Sequence, residues 1–301
     1  MLADLKLGKK YDGLLYLAES ARNVPKLDSH HHVELELNLV VRGWITYVVG
    51  ERCFTFPART LLWLFPEQEH QLVARSADAQ FYVAVFKPSL IAKACHTPPY
   101  ATLKRGNYQN GVVLNTHLAP DAFDLIRKTM DSLMQGSLDP DVLNREAGYG
   151  WLSNFSYQHG DPDGLNAGLR YLLLLCWRSQ KMGKVRGDAT ALHPAVRRAI
   201  QLLSDGGSEL NLGKLARAGG TSEAYLSRTF RKQIGVPLSR YRNSLRLSRF
   251  WDEFREPEQK TVAEAVYAAG FGSYAQFYKV FTQAYGEGPR ACLASTSRPE
   301  R

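Results

Sequence analysis

The sequence has few cysteines, and they are widely spaced. Four occur in 301 residues, at positions 53, 95, 176 and 292, and no two of them form a CxxC pair. This spacing argues against a disulfide framework and a zinc ribbon, because both need paired cysteines. We therefore expect reduced thiols and a cytoplasmic location.

Long hydrophobic runs are also missing. The apolar segment from Leu169 to Trp177 has nine residues, whereas a membrane-spanning helix needs about 20. The N-terminal sequence MLADLKLGKK lacks the apolar stretch of a signal peptide. With 45% apolar and 22% charged residues, the composition is that of a soluble protein, and we expect no membrane partner.

Acidic residues are scarce in the segment 212–250, where nine basic residues face Glu223 alone. Most of the net charge of +9 lies in the C-terminal part of the chain. Residues 190–301 carry 17 Lys and Arg against 10 Asp and Glu, whereas residues 1–189 carry 21 against 19. A basic stripe of this kind is typical of proteins that bind a phosphate backbone. The alternative is a solvated arginine-rich face with no ligand.

The same pattern occurs twice in the C-terminal third, at 212–235 and at 262–286. Each copy has a short apolar-periodic segment, a glycine and a second amphipathic segment, and Gly220 and Gly270 lie 50 residues apart. This repeat predicts two helix-turn-helix units. Thr261 and Glu264 have the spacing of a capping box, and Ser222 and Ser273 are predicted to cap the second helices.

Glycine and proline are absent from 239–253, which predicts a helix connecting the two units. Counted from Leu238 to Arg255, its 18 residues would span about 27 Å, close to the roughly 34 Å between major-groove faces one turn apart. The second helices of the two units, here called the first and second reading heads, could therefore reach adjacent grooves of one duplex. We expect the connecting helix to add phosphate contacts through Arg240, Arg242, Arg246 and Arg249.

These residues resemble the AraC/XylS family of bacterial transcription regulators. The resemblance covers about the last 100 residues, through the segment from Leu215 to Phe230, the pair Gly270 and Phe271, and the positions Phe277, Phe281, Tyr285, Gly286 and Pro289. It implies a regulator that binds double-stranded DNA, with RNA polymerase as a partner if it activates, and no catalytic step. The DNA-binding residues it implies are Ala224, Ser227, Arg228, Arg231, Lys232, Tyr274, Ala275, Gln276, Tyr278 and Lys279, all of them facing the groove except Lys232.

Two of these side chains suit base recognition. Arg228 is the best candidate for a bidentate contact to guanine, and Gln276 for one to adenine. The alternative for any of them is a phosphate contact, which positions the protein without reading the base. For Arg231 and Lys232, which come late in the helix, we favour the phosphate contact.

The N-terminal part is predicted to be rich in β-strands, since short Val, Ile and aromatic runs follow one another from Leu27 to Phe86. Its opening, DSHHHVELELNLVVRG, resembles the cupin motif HxH–x3–E–x6–G, which His30, His32, Glu36 and Gly43 match. His70, two strands later, would join them across a barrel. In metal-binding cupins such residues hold a divalent ion, and imidazole with carboxylate suits Fe, Mn, Ni or Zn.

Sensor cupins in this family usually bind small organic effectors without metal. The four residues therefore have three interpretations: a metal site, part of an effector pocket, or a hydrated strand end. His31, on the opposite parity, has no predicted role.

Two helices are predicted after the strands, at 120–134 and from Leu165 to Met182. The apolar stripe of the second helix, formed by Leu169, Leu172, Leu173 and Trp177, fits either packing against the barrel or a homodimer seam. The segment 183–192 has scattered charge and no periodicity, and we interpret it as the linker between domains.

We therefore predict a multidomain α+β protein with an N-terminal cupin-like β-barrel, accessory helices and a C-terminal all-α double helix-turn-helix domain. The predicted domains are 1–118 for the effector sensor, 119–182 for a helical and dimerising segment, 183–192 for the linker and 193–295 for DNA binding. The predicted function is an effector-controlled transcription regulator that acts as a homodimer. The alternatives are a metal-dependent cupin enzyme fused to a DNA-binding module, and a non-specific architectural DNA binder.

Overall fold

The computed structural model describes residues 5, 7–19, 29–104, 112–135, 159–182, 190–207, 210–254 and 260–296. The strands are β1 (Gly13–Ala18), β2 (Leu35–Arg42), β3 (Trp44–Val49), β4 (Arg52–Pro57), β5 (Thr60–Leu64), β6 (His70–Arg75), β7 (Gln80–Phe86), β8 (Leu114–His117) and β9 (Thr190–Ala191). In the N-terminal part, the helices are α1 (Pro88–Ala94), a 3-10 helix (Pro98–Lys104), α2 (Pro120–Met134) and α3 (Pro162–Met182).

The strands form two antiparallel sheets. One has the order β1-β7-β2-β5-β8 and the other the order β6-β3-β4-β9. In the first sheet β2 is central, with Glu36 opposite both Leu64 of β5 and Val85 of β7. The side chains of both sheets contribute to one hydrophobic core, as the cupin-like prediction requires.

Helix α3 closes this core from outside the sheets. Leu169, Leu172 and Leu173 are completely buried in it, and the ring of Trp177 lies edge-on to Trp63 at 5.5 Å between centroids. Of the two interpretations of this apolar stripe, the structure supports packing within the domain. On another face of α3, Tyr171 is half exposed.

The C-terminal part is helical. Its helices are α4 (Pro194–Ser204), α5 (Leu212–Ala218), α6 (Glu223–Ile234), α7 (Leu238–Phe254), α8 (Val262–Ala268), α9 (Tyr274–Tyr285) and α10 (Pro289–Thr296). The pairs α5–α6 and α8–α9 are the two helix-turn-helix units, and each turn contains a glycine with positive φ, Gly220 at 64° and Gly270 at 85°. Among the described residues, no helix combines the length and apolar character needed to cross a bilayer.

Each unit has its own hydrophobic core, and α7 contributes to both. Leu245 of α7 is buried in the core of the first unit with Leu226 and Phe230, whereas Phe250 is buried in the core of the second with Phe277 and Phe281. Helix α7 has 17 residues, about 26 Å at 1.5 Å per residue. The connecting helix predicted from the sequence is thus confirmed, with both ends fixed by packing.

The two parts of the chain are joined by more than a linker. Of the predicted linker 183–192, residues 183–189 lie outside the described part, but Thr190–Ala191 forms β9, which pairs with Arg52 and Cys53 of β4. Cys53, Val73 and Ala74 of the N-terminal sheet are buried in the core of the first helix-turn-helix unit. Part of the predicted linker therefore forms a strand of the N-terminal sheet. The sequence does not show this, because it does not reveal that β4 offers an edge to pair with.

Two glycines allow this junction to be tested. Gly220 and Gly235 both have positive φ, but a Cβ at Gly220 would meet nothing within 4 Å, whereas a Cβ at Gly235 would lie 3.1 Å from the Trp44 ring on β3. Alanine at either position should cost roughly 1–2 kcal/mol of backbone strain. We expect Gly235→Ala to lower the free energy of unfolding more than Gly220→Ala, because Trp44 must also move. Equal losses in denaturant titrations would mean that this contact contributes nothing.

Candidate DNA-binding face and metal centre

Helix α6 exposes most of the residues predicted for the first reading head. The Ser222 side chain caps the helix by accepting a hydrogen bond from Tyr225 N, and Gly235 ends it in the left-handed conformation. Leu226, Phe230 and Ile234 are buried on one face. This leaves Ala224, Arg228, Arg231 and Lys232 exposed and Ser227 half-buried on the other face. The amphipathic spacing predicted this division correctly.

Helix α9 repeats the arrangement. Ser273 caps it by accepting from Gln276 N at 3.2 Å, and Phe277 and Phe281 are fully buried. Tyr274, Ala275, Tyr278 and Lys279 are exposed. The partly buried Gln276 also accepts a hydrogen bond from Gly272 N at 3.1 Å through its side-chain oxygen. Its proposed adenine contact would therefore compete with a bond that holds the turn.

The connecting helix α7 is present as predicted, but its arginine side chains do not all point outward. Arg249 donates to the carbonyl oxygens of Leu203 and Ser204 at 2.6 and 3.1 Å, and so binds the C-terminal end of α4, where carbonyl groups lack helical partners. Arg242 donates to Leu210 O at 3.2 Å.

The guanidinium of Arg246 is buried above the Phe271 ring at 5.8 Å. Only Arg240 of the four is exposed. The expectation that all four arginines meet phosphates was therefore wrong, because a count of charges does not show which way they point.

The second candidate site is in the N-terminal domain, where His30, His32, His70 and Glu36 converge. The rings of His30 and His70 are 4.4 Å apart between centroids, and those of His32 and His70 are 5.3 Å apart. Each of the four residues is at most 4% exposed. One ligand atom from each histidine lies within 4.8 Å of the others. His31 is half-buried and is not part of this group, whose three histidines are those that the sequence motif placed together.

The parity argument reached this grouping for a partly wrong reason. Strand β2 begins only at Leu35, so His30 and His32 precede it. His30 is placed instead by an isolated bridge to His70, in which His30 N donates to His70 O at 3.1 Å and His70 N donates to His30 O at 2.9 Å. Long-range pairing, which the sequence does not reveal, brings the first motif to the second.

Hydrogen bonds fix which nitrogen of each ring points into the site. The Nδ1 atoms of His70 and His32 lie 2.8 and 3.0 Å from the carbonyl oxygens of Gln68 and Glu34. Because a carbonyl only accepts, Nδ1 carries a proton in both rings and Nε2 faces the site; His32 Nε2 donates to Glu36 when that ring carries a second proton. His32 Nε2 lies 3.2 Å and His70 Nε2 3.8 Å from Glu36 Oε2.

The charges in this site are set by burial and by these contacts. Burial opposes ionisation of Glu36, but the hydrogen bond with His32 and the neighbouring imidazoles outweigh it and lower the pKa of Glu36 to about 2. Burial lowers the pKa of His70 to about 4, although the Glu36 carboxylate acts in the opposite direction. At neutral pH the site therefore presents a carboxylate beside a neutral imidazole, the forms in which these groups bind metals.

Sequence reasoning missed two residues that complete the site. Asn38 is fully buried and donates through Nδ2 to Glu36 Oε1 at 2.7 Å. The Tyr47 ring lies 6.2 Å from that of His70, and burial, with the charge of Glu36, raises the pKa of Tyr47 well above its usual value. Asn38 could have been found, because it lies two residues after Glu36 on β2 and so shares its face.

Comparisons with known proteins agree with this division of the chain. Residues 17–137 match the model of an AraC-like ligand binding domain, and residues 215–295 match that of a helix-turn-helix domain. No curated protein sequence matches the chain.

Several solved structures are similar to the chain at low identity. ToxT from Vibrio cholerae is 13% identical over 95% of this chain and 98% of that chain, with a TM-score of 0.36. The AraC-like transcriptional activator CuxR is 17% identical over 76% of this chain and 74% of that chain, with a TM-score of 0.31. The enzyme HEPD from Streptomyces albus, with its substrate 2-hydroxyethylphosphonate and Fe(II) bound, is 14% identical over 73% and 41%, with a TM-score of 0.22.

The two family models match the two parts of the chain that the structure separates, the ligand-binding domain before α3 and the helix-turn-helix units after α4. The chain therefore belongs to the AraC family of transcription regulators, with an N-terminal ligand-binding domain and a C-terminal helix-turn-helix DNA-binding domain.

Proposed function

We propose that this regulator reads two adjacent major-groove segments of one DNA duplex through α6 and α9. The observation that carries the proposal is that both helices bury an apolar face in their own core and leave the predicted contact residues largely exposed. A recognition helix in the major groove contacts base edges through its outward-facing side chains. The contact set is the one named from the sequence, with Arg228 reading guanine and Gln276 reading adenine.

The two heads do unequal work in this proposal. Helix α6 carries Arg228, Arg231 and Lys232, all exposed, and the exposed Arg240 follows at the start of α7. Helix α9 carries Lys279 as its single cation. Since phosphate neutralisation dominates affinity for DNA, the first head supplies most of the affinity and the second adds discrimination.

We propose in addition that the protein acts as a homodimer in the cytoplasm, with RNA polymerase as a partner if it activates transcription. Leu125 on α2 and Tyr171 on α3, two helices that pack together, are 49% and 50% exposed, and such apolar side chains suit a subunit contact. The predicted domain boundaries at 118, 182 and 192 stay part of this proposal.

The second candidate function, a metal-dependent enzyme fused to a DNA-binding module, is suggested by the His and Glu cluster. The burial of the cluster argues against an enzyme, since each of the four residues is at most 4% exposed. A catalytic metal keeps an open position for water or substrate. We therefore propose a binding role for this site and no catalytic step.

A competition assay tests the proposed function. The full-length protein is measured by fluorescence anisotropy on DNA from upstream of its own gene and on a shuffled duplex of the same length and composition. We expect the upstream DNA to bind at least about 10³-fold more tightly, as specific regulators do. Equal affinities would indicate an architectural DNA binder.

A further inference from the structure

We propose that the effector of this regulator is a divalent first-row transition-metal ion held by His30, His32, His70 and Glu36, and that Gln71 transmits its binding to the first helix-turn-helix unit. This inference rests on the proposed function, since it names the signal that the regulator senses.

Two pairs of ligand atoms, both involving Glu36, are already close to the separations that a metal ion requires. Two ligands at about 2.1 Å from one ion, at 90–110° to each other, lie about 3.0–3.4 Å apart. His32 Nε2 is 3.2 Å from Glu36 Oε2, and His70 Nε2 is 3.8 Å from the same oxygen. A shift of a few tenths of an ångström at His70 would bring both imidazoles into range.

Supporting hydrogen bonds hold three of these four side chains in the orientation for binding. The Nδ1 atoms of His32 and His70 each donate to a backbone carbonyl, and Asn38 holds the second oxygen of Glu36. Metal-ligating histidines and carboxylates are usually oriented by partners of this kind. His70 Nε2 is buried and has no hydrogen-bond partner among the described residues, so its lone pair faces the cluster unused. A buried acceptor without a donor is costly unless a ligand satisfies it.

Strand β6 connects this cluster to the DNA-binding domain. His70 and Gln71 are its first two residues, so their side chains point to opposite faces of the sheet. Gln71 is 2% exposed and donates through Nε2 to the Tyr241 hydroxyl at 2.8 Å and to Ser204 Oγ at 3.1 Å. Further along β6, Val73 and Ala74 are buried in the core of the first helix-turn-helix unit. A movement of His70 towards a metal therefore acts on a strand that is part of that core.

From Tyr241 the connection continues to the first reading head. Tyr241 is at the start of α7, and its ring packs against Phe230 of α6 at 5.5 Å between centroids. Cys53 of strand β4, in the same sheet as β6, donates through its thiol to Gln233 O near the end of α6. Metal binding therefore acts on the orientation of α6 relative to the sheet, and through it on the affinity for DNA.

Metal binding is tested first. Full-length protein without a histidine tag is stripped with a chelator and titrated with Co²⁺, whose visible absorption reports its coordination. We expect one Co²⁺ per chain in the wild type and in His31→Ala, the matched control. Binding should weaken at least tenfold in His70→Ala and in Glu36→Gln, which keeps the size of the side chain. Unchanged binding in both variants, or no binding by a folded wild type, would overturn the inference.

The coupling to DNA is tested next, with Tyr241→Phe, which removes the hydroxyl that Gln71 contacts but keeps the ring against Phe230. In the wild type, Co²⁺ should change the affinity for the upstream DNA at least fivefold, and that DNA should change the affinity for Co²⁺ by the same factor, as linkage requires. In Tyr241→Phe we expect one bound Co²⁺ and a change in DNA affinity below twofold. Bound Co²⁺ without any effect on DNA affinity in the wild type would overturn the effector role. Absence of DNA specificity in both the stripped and the Co²⁺-loaded protein would instead contradict the proposed function and leave the metal site standing.

Discussion

Replacing Arg231 and Lys232 together by alanine is expected to weaken binding to duplex DNA about thirtyfold at 0.15 M salt. Each phosphate contact contributes roughly 0.9 to the slope of log affinity against log salt concentration, so the loss of two contacts should reduce that slope by about 1.8. Both side chains are exposed late in α6. Because they touch phosphate in our proposal, the loss should be about equal on the specific and the shuffled duplex.

Two controls make this result specific to the first head. Lys104→Ala combined with Lys128→Ala removes the same charge from exposed positions of the N-terminal domain and should change the slope by less than 0.5 or so. Lys279→Ala on α9 should reduce it by less than about 0.9. A larger reduction from Lys279→Ala than from the α6 double variant would place the anchor in the second head.

Replacing Phe250 by alanine is expected to lower the stability of the second helix-turn-helix unit by about 3–5 kcal/mol, the usual cost of removing a buried phenyl ring. Phe250 is fully buried, and its ring lies 4.5 Å from that of Phe277 and 6.1 Å from that of Phe281. The surrounding rings are packed around this phenyl group. Denaturant unfolding of the variant measures the loss.

In this variant the second unit should unfold while the first unit stays folded, because the two cores are separate. Phe250→Ala should therefore retain the affinity and salt slope of the first head while losing discrimination at the second site. Tyr267→Ala is the matched control, since this aromatic residue on α8 is 57% exposed and should cost little. A loss below about 1 kcal/mol in Phe250→Ala would show that the ring is not a structural centre of this unit.

The local structure of the DNA-binding domain could be predicted from the sequence. Helix caps and turns depend on neighbouring residues, and the structure confirms the caps at Ser222 and Ser273 and the positive φ at Gly220 and Gly270. The capping box between Thr261 and Glu264 is also present. These signals are local and occur twice, so each copy supported the interpretation of the other.

What depends on long-range contacts could not be predicted. Strand β1 pairs with β7 far along the chain, and β9, which lies inside the predicted linker, pairs with β4. The direction of a charged side chain could not be predicted either. Arg242, Arg246 and Arg249 point back to the protein, where they contact backbone carbonyl groups or the Phe271 ring. Each direction depends on a partner that the fold places nearby: a ring for Arg246, the end of α4 for Arg249 and the carbonyl group of Leu210 for Arg242.

The candidate metal centre lies between these extremes. The motif spacing selected His30, His32, Glu36 and His70, and the structure brings all four together. The contact of Gln71 with Tyr241 could not be foreseen, because it joins residues 170 positions apart. The sequence therefore predicts the ligands but not the connection that would make them a sensor.

Footprinting on DNA from upstream of its own gene tests directly whether α6 and α9 bind two adjacent major-groove segments. The wild type should protect two adjacent segments on one face of the duplex, with centres about one helical turn, or roughly 10.5 base pairs, apart. Arg228→Ala should weaken protection of one segment and relax preference at one base pair there by about 1–3 kcal/mol. Gln276→Ala should affect the other segment, and Ser273→Ala, which removes the helix cap but keeps the Gln276 side chain, should not lose base discrimination there. A single protected segment in the wild type, or the same segment weakened by Arg228→Ala and Gln276→Ala, would contradict the two-headed reading of DNA.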